Sequence, residues 1–573
     1  MTEPAGPPAL TAMFVPKLVS TLRGYTRAQF VRDLTAGIIV AVVALPLSIA
    51  FGIASGVTPE RGLITAIVAG FIISALGGSR VQIGGPTGAF VVIVAGIVER
   101  YGVDGLLVAT AMAGALLVLM GVMRLGGVIK FVPQPVVIGF TSGIALIIFS
   151  SQIKDALGLA LAAVPSEFAA KWAAYRGAID TASPAAIGVT VATLLILHLW
   201  PRVSLKVPAP FVALVSTTLA VHLLALPVET IGSRFGEVGG GLPAPHLPQV
   251  TATMLRELAG PAFTIALLAA IESLLSAVVA DGMIGGRHRS NMELVAQGVA
   301  NIASPLFGGI PATGAIARTA TNVKSGGRTP VAGMVHAVVL LLIALFVGPL
   351  AARIPMATLA GILIMVAYHM SEWRNFRSQL RAPRSDVVVL LATFLLTVLV
   401  DLTVALQVGM VLSAFLFMRR MAEVTNVQAV TRQLEDGPEE PDAGALSARV
   451  VPRGVEVYEI DGPFFFGAAE RFKEALGEMG QRPKVLIIRL RKVPVIDATG
   501  LSLLRELHVR CQRQGTQLVL SGVQPQPRGA LERAGLLEEI GTSRIAADLD
   551  EALAIAGLLV HQFPTPARGT PVP

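Results

Sequence analysis

The chain has 573 residues, of which 53% are hydrophobic and only 14% charged, against about 25% charged in an ordinary soluble domain. Its many apolar runs of helix length exceed what a soluble core can hold, and strand-like alternation is nearly absent, which excludes a soluble enzyme over most of the length and also a membrane barrel. The net charge of +8 sits largely in loops between apolar runs, a pattern of membrane surfaces and not of nucleic-acid binding; the single cysteine, Cys511, excludes an internal disulfide and a cysteine-rich metal site.

Residues 1–30 lack an apolar core followed by a cleavage pattern. They are expected to form a cytoplasmic lead-in, with an interfacial helix over 14–22. A first membrane repeat follows at 31–225, with segments 1 to 7 at 31–54, 62–77, 86–98, 104–122, 131–150, 182–200 and 207–225. After an extracytoplasmic loop at 226–257 comes a second repeat at 258–420. Its segments 8 to 14 lie at 258–281, 291–306, 313–323, 331–350, 352–370, 385–400 and 402–419. Loop Lys and Arg number nineteen on the N-terminal side and eight on the other, which predicts cytoplasmic termini.

Segments 3 and 10, of thirteen and eleven residues, are too short to cross a bilayer at about 1.5 Å per residue. Each follows the same kind of breaker, "GGPTGAF" at 84–90 and "GGIPATGAIA" at 308–317. Thr87 lies 56 residues after the first run begins, and Thr313 lies 55 after the eighth begins. Seven segments per half force the halves into opposite orientation, so the echo reads as an inverted repeat.

A helix that begins inside the membrane exposes unpaired N–H groups, which are tolerable where they face a polar cavity and a ligand. The helix dipole and those N–H groups favour an anion. Proline suits a first helical turn, glycine allows close approach, and a threonine hydroxyl can cap or bind. Pro86, Thr87, Gly88, Ala89, Thr313, Gly314 and Ala315 are therefore the candidate anion contacts; tight packing of small residues is the alternative.

Glu272 sits at mid-depth of segment 8, where a carboxylate is costly. It could carry a proton, ligate Na⁺ or hold a hydrogen-bond network. Ser276 is one turn further on the same face. Arg318, within segment 10, could hold an anion or pair with Glu272. Asp281, Arg287, His288 and Arg289 are expected at the cytoplasmic end, and His222, His336 and His369 have no metal-ligand spacing.

Beyond a polar linker at 421–445, residues 446–560 read as a small α/β domain, with Phe472, Leu476 and Met479 on one helix face and a flexible tail at 561–573. It has no Walker A pattern. Thr499 lies at a strand-to-helix turn, as a cap or a phosphorylation or contact point.

These stretches resemble the SulP anion transporter family, which includes the animal anion exchangers. The likeness rests on "DLTAGIIVAVVALPLSIAF" at 33–51, "SRVQIGGPTGAF" at 79–90, "FVPQPVVIGFTSGIA" at 131–145, "AIESLLSAVVAD" at 270–281 and "NMELVAQGVANIASPLFGGIPATGAIARTATN" at 291–322. The tail, with "VPVIDATG" at 493–500, is similar to a STAS domain, the module shared with anti-sigma-factor antagonists. The resemblance implies fourteen segments in two inverted seven-segment repeats, a core domain moving against a gate domain by alternating access, and a homodimer in the bilayer. With the loop charge bias, the expected location is the inner membrane, multi-pass, with both termini in the cytoplasm. The resemblance implies no enzyme activity, no cofactor and no metal, and small anions as substrates: sulfate, bicarbonate, chloride or dicarboxylates.

By the same resemblance the anion lies between Pro86–Phe90 and Thr313–Ile316, with Arg318 as the basic residue and Glu272 as the acidic one. Thr499 takes the place of a phosphorylated residue, and the STAS domain is a place for regulatory protein contact. Leu47 stands where some prokaryotic members carry an acid linked to proton coupling, and "SGVTPERGL" at 55–63 replaces an aromatic-rich version found in many sulfate members. Arg318 disfavours a bound Na⁺ by repulsion, so H⁺ coupling through Glu272, or anion exchange, is favoured over Na⁺. A Na⁺-coupled bicarbonate symporter, an uncoupled anion channel, a nucleobase transporter and a membrane sensor signalling through the STAS domain are the competing readings.

Overall fold

A computed structural model describes residues 14–562 apart from 128–131, 162–163, 166, 205–206, 237–240, 249, 401, 425, 430–450, 466–471 and 474–482. It divides into two compact units, 1–413 and 414–573.

The first unit contains segments 1 to 13 and the beginning of segment 14, which runs on past Ser413. Segments 1 and 2 are Arg27–Ala54 and Pro59–Leu76; segments 5 to 7 are Gln134–Leu157, Pro184–Val203 and Ala209–Leu223. Segments 8 and 9 are Ala259–Ile284 and Ser290–Leu306, and segment 10 is Ile316–Lys324. Segments 11 to 14 are Val331–Ala351, Met356–Met370, Arg384–Leu399 and Leu402–Val424. Segments 3 and 4 form one element, Gly88–Val122, broken at Gly102 by a left-handed φ of 67°. The expected loop at 99–103 is thus reduced to a single glycine, which reaches that conformation without strain. Since each half contributes seven segments, segments 1 and 8 enter from opposite sides. The side on which segment 1 begins is the near face, and the other is the far face.

Segment 1 packs on 2 and 11, segment 9 on 2 and on Gly88–Val122, and segment 8 on Gly88–Val122 and 10. These make one bundle. Segment 5 packs on 12 and 13, and segment 6 on 7 and 12, making a second. Of the expected helix at 14–22 only Lys17–Thr21 is helical. It is held to the near face by Lys17 N–H on the Gly77 carbonyl at 2.9 Å and by Arg289 Nη1 on the Val15 carbonyl at 2.6 Å. The loop at 226–257 holds two short helices, Ile231–Phe235 and Ala252–Glu257.

With Gly84–Gly85 as β1 and Thr313–Gly314 as β2 in the first unit, the second unit holds a five-stranded sheet in the order β3-β4-β5-β6-β7: Asn426–Ala429, Val455–Asp461, Val485–Lys492, Gln517–Ser521 and Ile545–Ala546. β3 is antiparallel to β4, and the other pairs are parallel. β3 lies inside the stretch expected to be linker. One sheet face buries Tyr458, Ile488 and Leu520 with Phe472 and Leu504; the other buries Val457, Ile487 and Val519 with Leu549 and Ala552. Leu476 and Met479, expected beside Phe472, lie outside the described residues.

Candidate functional site

The two echoed stretches meet. Gly84–Gly85 (β1) and Thr313–Gly314 (β2) pair as a short antiparallel ladder, Gly84 opposite Gly314 and Gly85 opposite Thr313. The contact continues past the Gly84–Gly314 end of the ladder. Ala315 N–H donates to the Ile83 carbonyl at 2.8 Å, the Ile83 N–H to Thr319 Oγ1 at 3.0 Å, and Asn322 Nδ2 to the Val81 carbonyl at 2.8 Å. Segment 10 therefore lies along the extended stretch that leads into segment 3. Close approach demands the small residues: a Cβ on Gly314 would sit 1.7 Å from Gln82 Nε2.

The ladder places two helix N-termini side by side. Segment 3 begins at Gly88, after Thr87 as N-cap, and segment 10 at Ile316, after Ala315 as N-cap. The second start falls after Thr313 and Gly314, which remain in the strand. Neither helix has a side-chain cap, so no capping side chain satisfies the first-turn N–H groups of either. Ile316 and Ala317 are exposed, although Pro86, Gly88, Ala89, Phe90, Thr313, Gly314 and Ala315 are buried. At the other start, the position of a Cβ on Gly88 would lie 2.7 Å from Met370 Sδ and 3.4 Å from both Ile148 and Phe51.

The hydroxyls of the echo have different partners. Thr87 Oγ1 donates to Glu272 Oε2 at 2.9 Å, whereas Thr313 Oγ1 donates to the Ala269 carbonyl at 2.8 Å. Thr87 thus joins the segment 3 start to the mid-depth carboxylate, and Thr313 is committed to the segment 8 backbone. Ser276 Oγ donates to Thr319 Oγ1 at 3.3 Å, one step behind the site. Arg318 is 2% exposed, and its Nη2 donates to the Pro86 carbonyl. The expected alternative of an Arg318–Glu272 pair is not what the structure contains: the two groups grip adjacent residues, Pro86 and Thr87. Arg318 Nη1 is buried without a hydrogen-bond partner among the described residues.

Behind this layer lies a carboxylate missing from the sequence reading. Glu293 is wholly buried. It accepts from the N–H groups of Gly78 at 2.9 Å and Ser79 at 3.2 Å, from Ser273 Oγ at 3.0 Å and from Gln297 Nε2 at 3.0 Å. Gln82 Nε2 reaches the same Ser273 Oγ at 2.8 Å. Further along segment 9, Asn301 bonds both the N–H and the carbonyl of Ala312, and Ser304 Oγ bonds the Ile310 carbonyl. The signal was present: Glu293, Gln297, Asn301 and Ser304 recur at helical spacing and mark one polar face. That face holds the entry to segment 3 and the re-entrant chain before segment 10. His288 Nδ1 bonds Asp281 Oδ2 at 2.7 Å at the near end of segment 8. Among the described residues no group of three or more His, Cys, Asp or Glu could hold a metal ion.

In the second unit, Asp497 and not Thr499 caps the helix Ala498–Gln514. Asp497 Oδ1 accepts from the Gly500 N–H at 2.8 Å, and Thr499 is half-buried in the first turn.

Comparison with known proteins agrees with this architecture. Residues 30–393 match the model of the sulfate permease family, and residues 448–552 match that of the STAS domain. A putative sulfate transporter of Bacillus subtilis, YvdB, is 44% identical, covering 92% of this chain and 98% of its own. The bicarbonate transporter BicA of Picosynechococcus is 30% identical, over 92% and 95% of the two chains. Among solved structures, the murine Solute Carrier 26 family member A9 anion transporter in the inward-facing state superposes with a TM-score of 0.85 at 17% identity, covering 97% and 96%. The transmembrane domain of a cyanobacterial BicA superposes with a TM-score of 0.61 at 34% identity, covering 66% of this chain and 98% of that one. The matched fold and the matched sequence together place this chain in the sulfate permease family of membrane anion transporters, with a STAS domain in its C-terminal part.

Proposed function

We propose that the chain is a secondary active transporter of a small oxyanion, held between the N-termini of segments 3 and 10 and moved by alternating access of the two bundles. The observation that carries this reading is the ladder of Gly84–Gly85 with Thr313–Gly314, which brings two uncapped helix starts together so that their dipoles favour one anion. Pro86, Thr87, Gly88, Ala89 and Phe90 form one wall, and Thr313, Gly314 and Ala315 the other. Arg318 fixes their spacing through Pro86 and adds positive potential. Sulfate is the first substrate, supported by likeness to the putative sulfate transporter. Bicarbonate is the second, supported by likeness to BicA, and a dicarboxylate is the third.

Glu272 is the proton carrier. Its hydrogen bond to Thr87 connects it to the helix start that holds the anion, so loading of the site and loading of the proton are felt by the same residue. Arg318 beside the site opposes a bound Na⁺. Exchange of one anion for another uses the same site without Glu272. The termini face the cytoplasm, the protein is a homodimer, and Thr499 is a regulatory contact point on the STAS domain. The test is uptake of labelled sulfate, bicarbonate and fumarate into proteoliposomes under imposed pH and Na⁺ gradients. Uptake driven by the pH gradient and indifferent to Na⁺ supports the reading; a strict Na⁺ requirement overturns the coupling, and passive current without counter-flux overturns active transport.

A further inference from the structure

A cavity of about 800 Å³ opens between the two bundles on the far face. From the first bundle it is lined by residues of segment 3, among them Val91 and Gly96; from the second by Ile148 and Val398; and from segment 14 by Leu402. Ile148 also packs on the start of segment 3, at 3.4 Å from where a Cβ of Gly88 would be. The cavity thus descends from the far face to a side chain that touches the proposed anion site.

One buried ionisable side chain lines it. Lys171 belongs to the short helix Phe168–Gly177 between segments 5 and 6 and is 8% exposed. The other charged residues of the cavity, Glu99, Arg100, Glu167 and Glu257, are exposed at its rim. Among the described residues no side chain makes a hydrogen bond or ion pair with the Lys171 ammonium. Glu99 is near enough to act on it through space, while burial pulls its pKa below the ordinary lysine value. The Lys171 side chain is largely covered, but its Nζ is not among the buried unpartnered atoms, so the ammonium opens onto the cavity, where a counter-ion can reach it. Here the counter-ion has a route in and a route onward.

We propose that Lys171 is a second anion site, the docking point at which a small oxyanion entering from the far face is held before it reaches the half-helix site. This rests on the anion-transport reading above. The attraction of the ammonium for an oxyanion grows with the anion's charge, and because the cavity is open to the far face a divalent anion keeps part of its water and escapes the full desolvation cost. Sulfate is therefore retained better than bicarbonate. Glu99 competes with the anion for the same ammonium.

The test measures KM for labelled sulfate from each face, with the full-length protein in vesicles sorted by orientation. Lys171→Gln raises far-face KM about tenfold and leaves near-face KM unchanged, while kcat from the near face falls in step, because detailed balance ties the two directional kcat/KM values and the docking point serves exit as well as entry; Lys171→Arg stays close to the parent. Glu99→Gln lowers far-face KM. A folding defect is controlled within one protein: Lys171→Cys has the raised KM, and a thiol reagent that restores an aminoethyl group from the far face brings it down. Unchanged far-face KM in Lys171→Gln overturns the proposal, as does an equal rise on both faces. A Glu99→Gln variant that reproduces Lys171→Gln also overturns it, because the lysine then serves only as a partner of that carboxylate. A failure of the half-helix site would instead appear as unaltered affinity at both faces in an Arg318 variant, and the comparison of faces in the Lys171 variants stands independently of that result.

Discussion

The Arg318 guanidinium donates to the carbonyl of Pro86, so the basic residue of one half-helix holds the last residue before the cap of the other. Arg318 is thus both a source of positive potential and a spacer that sets the distance between two helix starts. Lysine supplies charge without the planar fork.

Arg318→Gln should weaken sulfate binding roughly tenfold to a hundredfold, since a hydrogen bond from a charged group contributes about 1.5–3 kcal/mol. Arg318→Lys should recover only part of it, because the reach to Pro86 is lost. Equilibrium binding to purified protein checks both. Full affinity in the glutamine variant would remove Arg318 from the site.

Glu272→Gln keeps an acceptor for the Thr87 hydroxyl, which donates to Glu272 at 2.9 Å, but cannot exchange a proton. The expected outcome is a split: stimulation of uptake by an inward pH gradient disappears, while sulfate–sulfate counterflow persists. Stimulation that survives the substitution would show that the proton travels elsewhere.

Glu293→Gln tests the layer behind the site. The native carboxylate accepts four hydrogen bonds in a wholly buried position. A glutamine amide would turn N–H groups toward donors, a mismatch that costs about 2–3 kcal/mol. Thermal unfolding in detergent should fall to lower temperature. An unchanged melting temperature would mean that this network does not hold the re-entrant chain in place.

Most of the membrane fold was legible because apolar run length maps directly onto bilayer thickness. The meeting of the two half-helices was legible because Gly, Pro and Thr interrupt runs that have no local reason to stop. The residues beyond reach were those whose roles depend on distant partners. Glu293 stands in the first turn of segment 9, where an acid is ordinary, and only the fold brings Gly78 and Ser79 to it. Arg318 offered two partners in sequence, and the ladder register selected Pro86. The start of segment 10 shifted to Ile316 because Thr313 and Gly314 are used in pairing with β1. The strand Asn426–Ala429 hid within a polar stretch because its partner, Tyr458–Asp461, lies some thirty residues away.

Cys511 is 3% exposed, and burial pushes its thiol up to about 11. The thiolate is the reactive form, and at pH 8 it amounts to about one part in a thousand. Maleimide should leave the native protein unlabelled and react only after unfolding. Labelling of the native protein at the rate of a free thiol would contradict this burial, and would require Cys511→Ser before any engineered cysteine is used.

Asp497 and Thr499 divide two roles that sequence alone merges at one turn. Asp497 accepts from the Gly500 N–H at 2.8 Å and caps the helix Ala498–Gln514. Thr499 stands in the first turn, where an added phosphate would meet the positive end of the helix dipole. Asp497→Ala should therefore destabilise the STAS domain by about 1 kcal/mol, read as a shift of its unfolding transition in the full-length protein. Thr499→Ala should leave that transition in place, whereas Thr499→Glu should stabilise the helix slightly and change transport only if the turn is a regulatory contact. If Thr499→Ala proves as destabilising as Asp497→Ala, the threonine is itself part of the cap, and its assignment as a contact point falls.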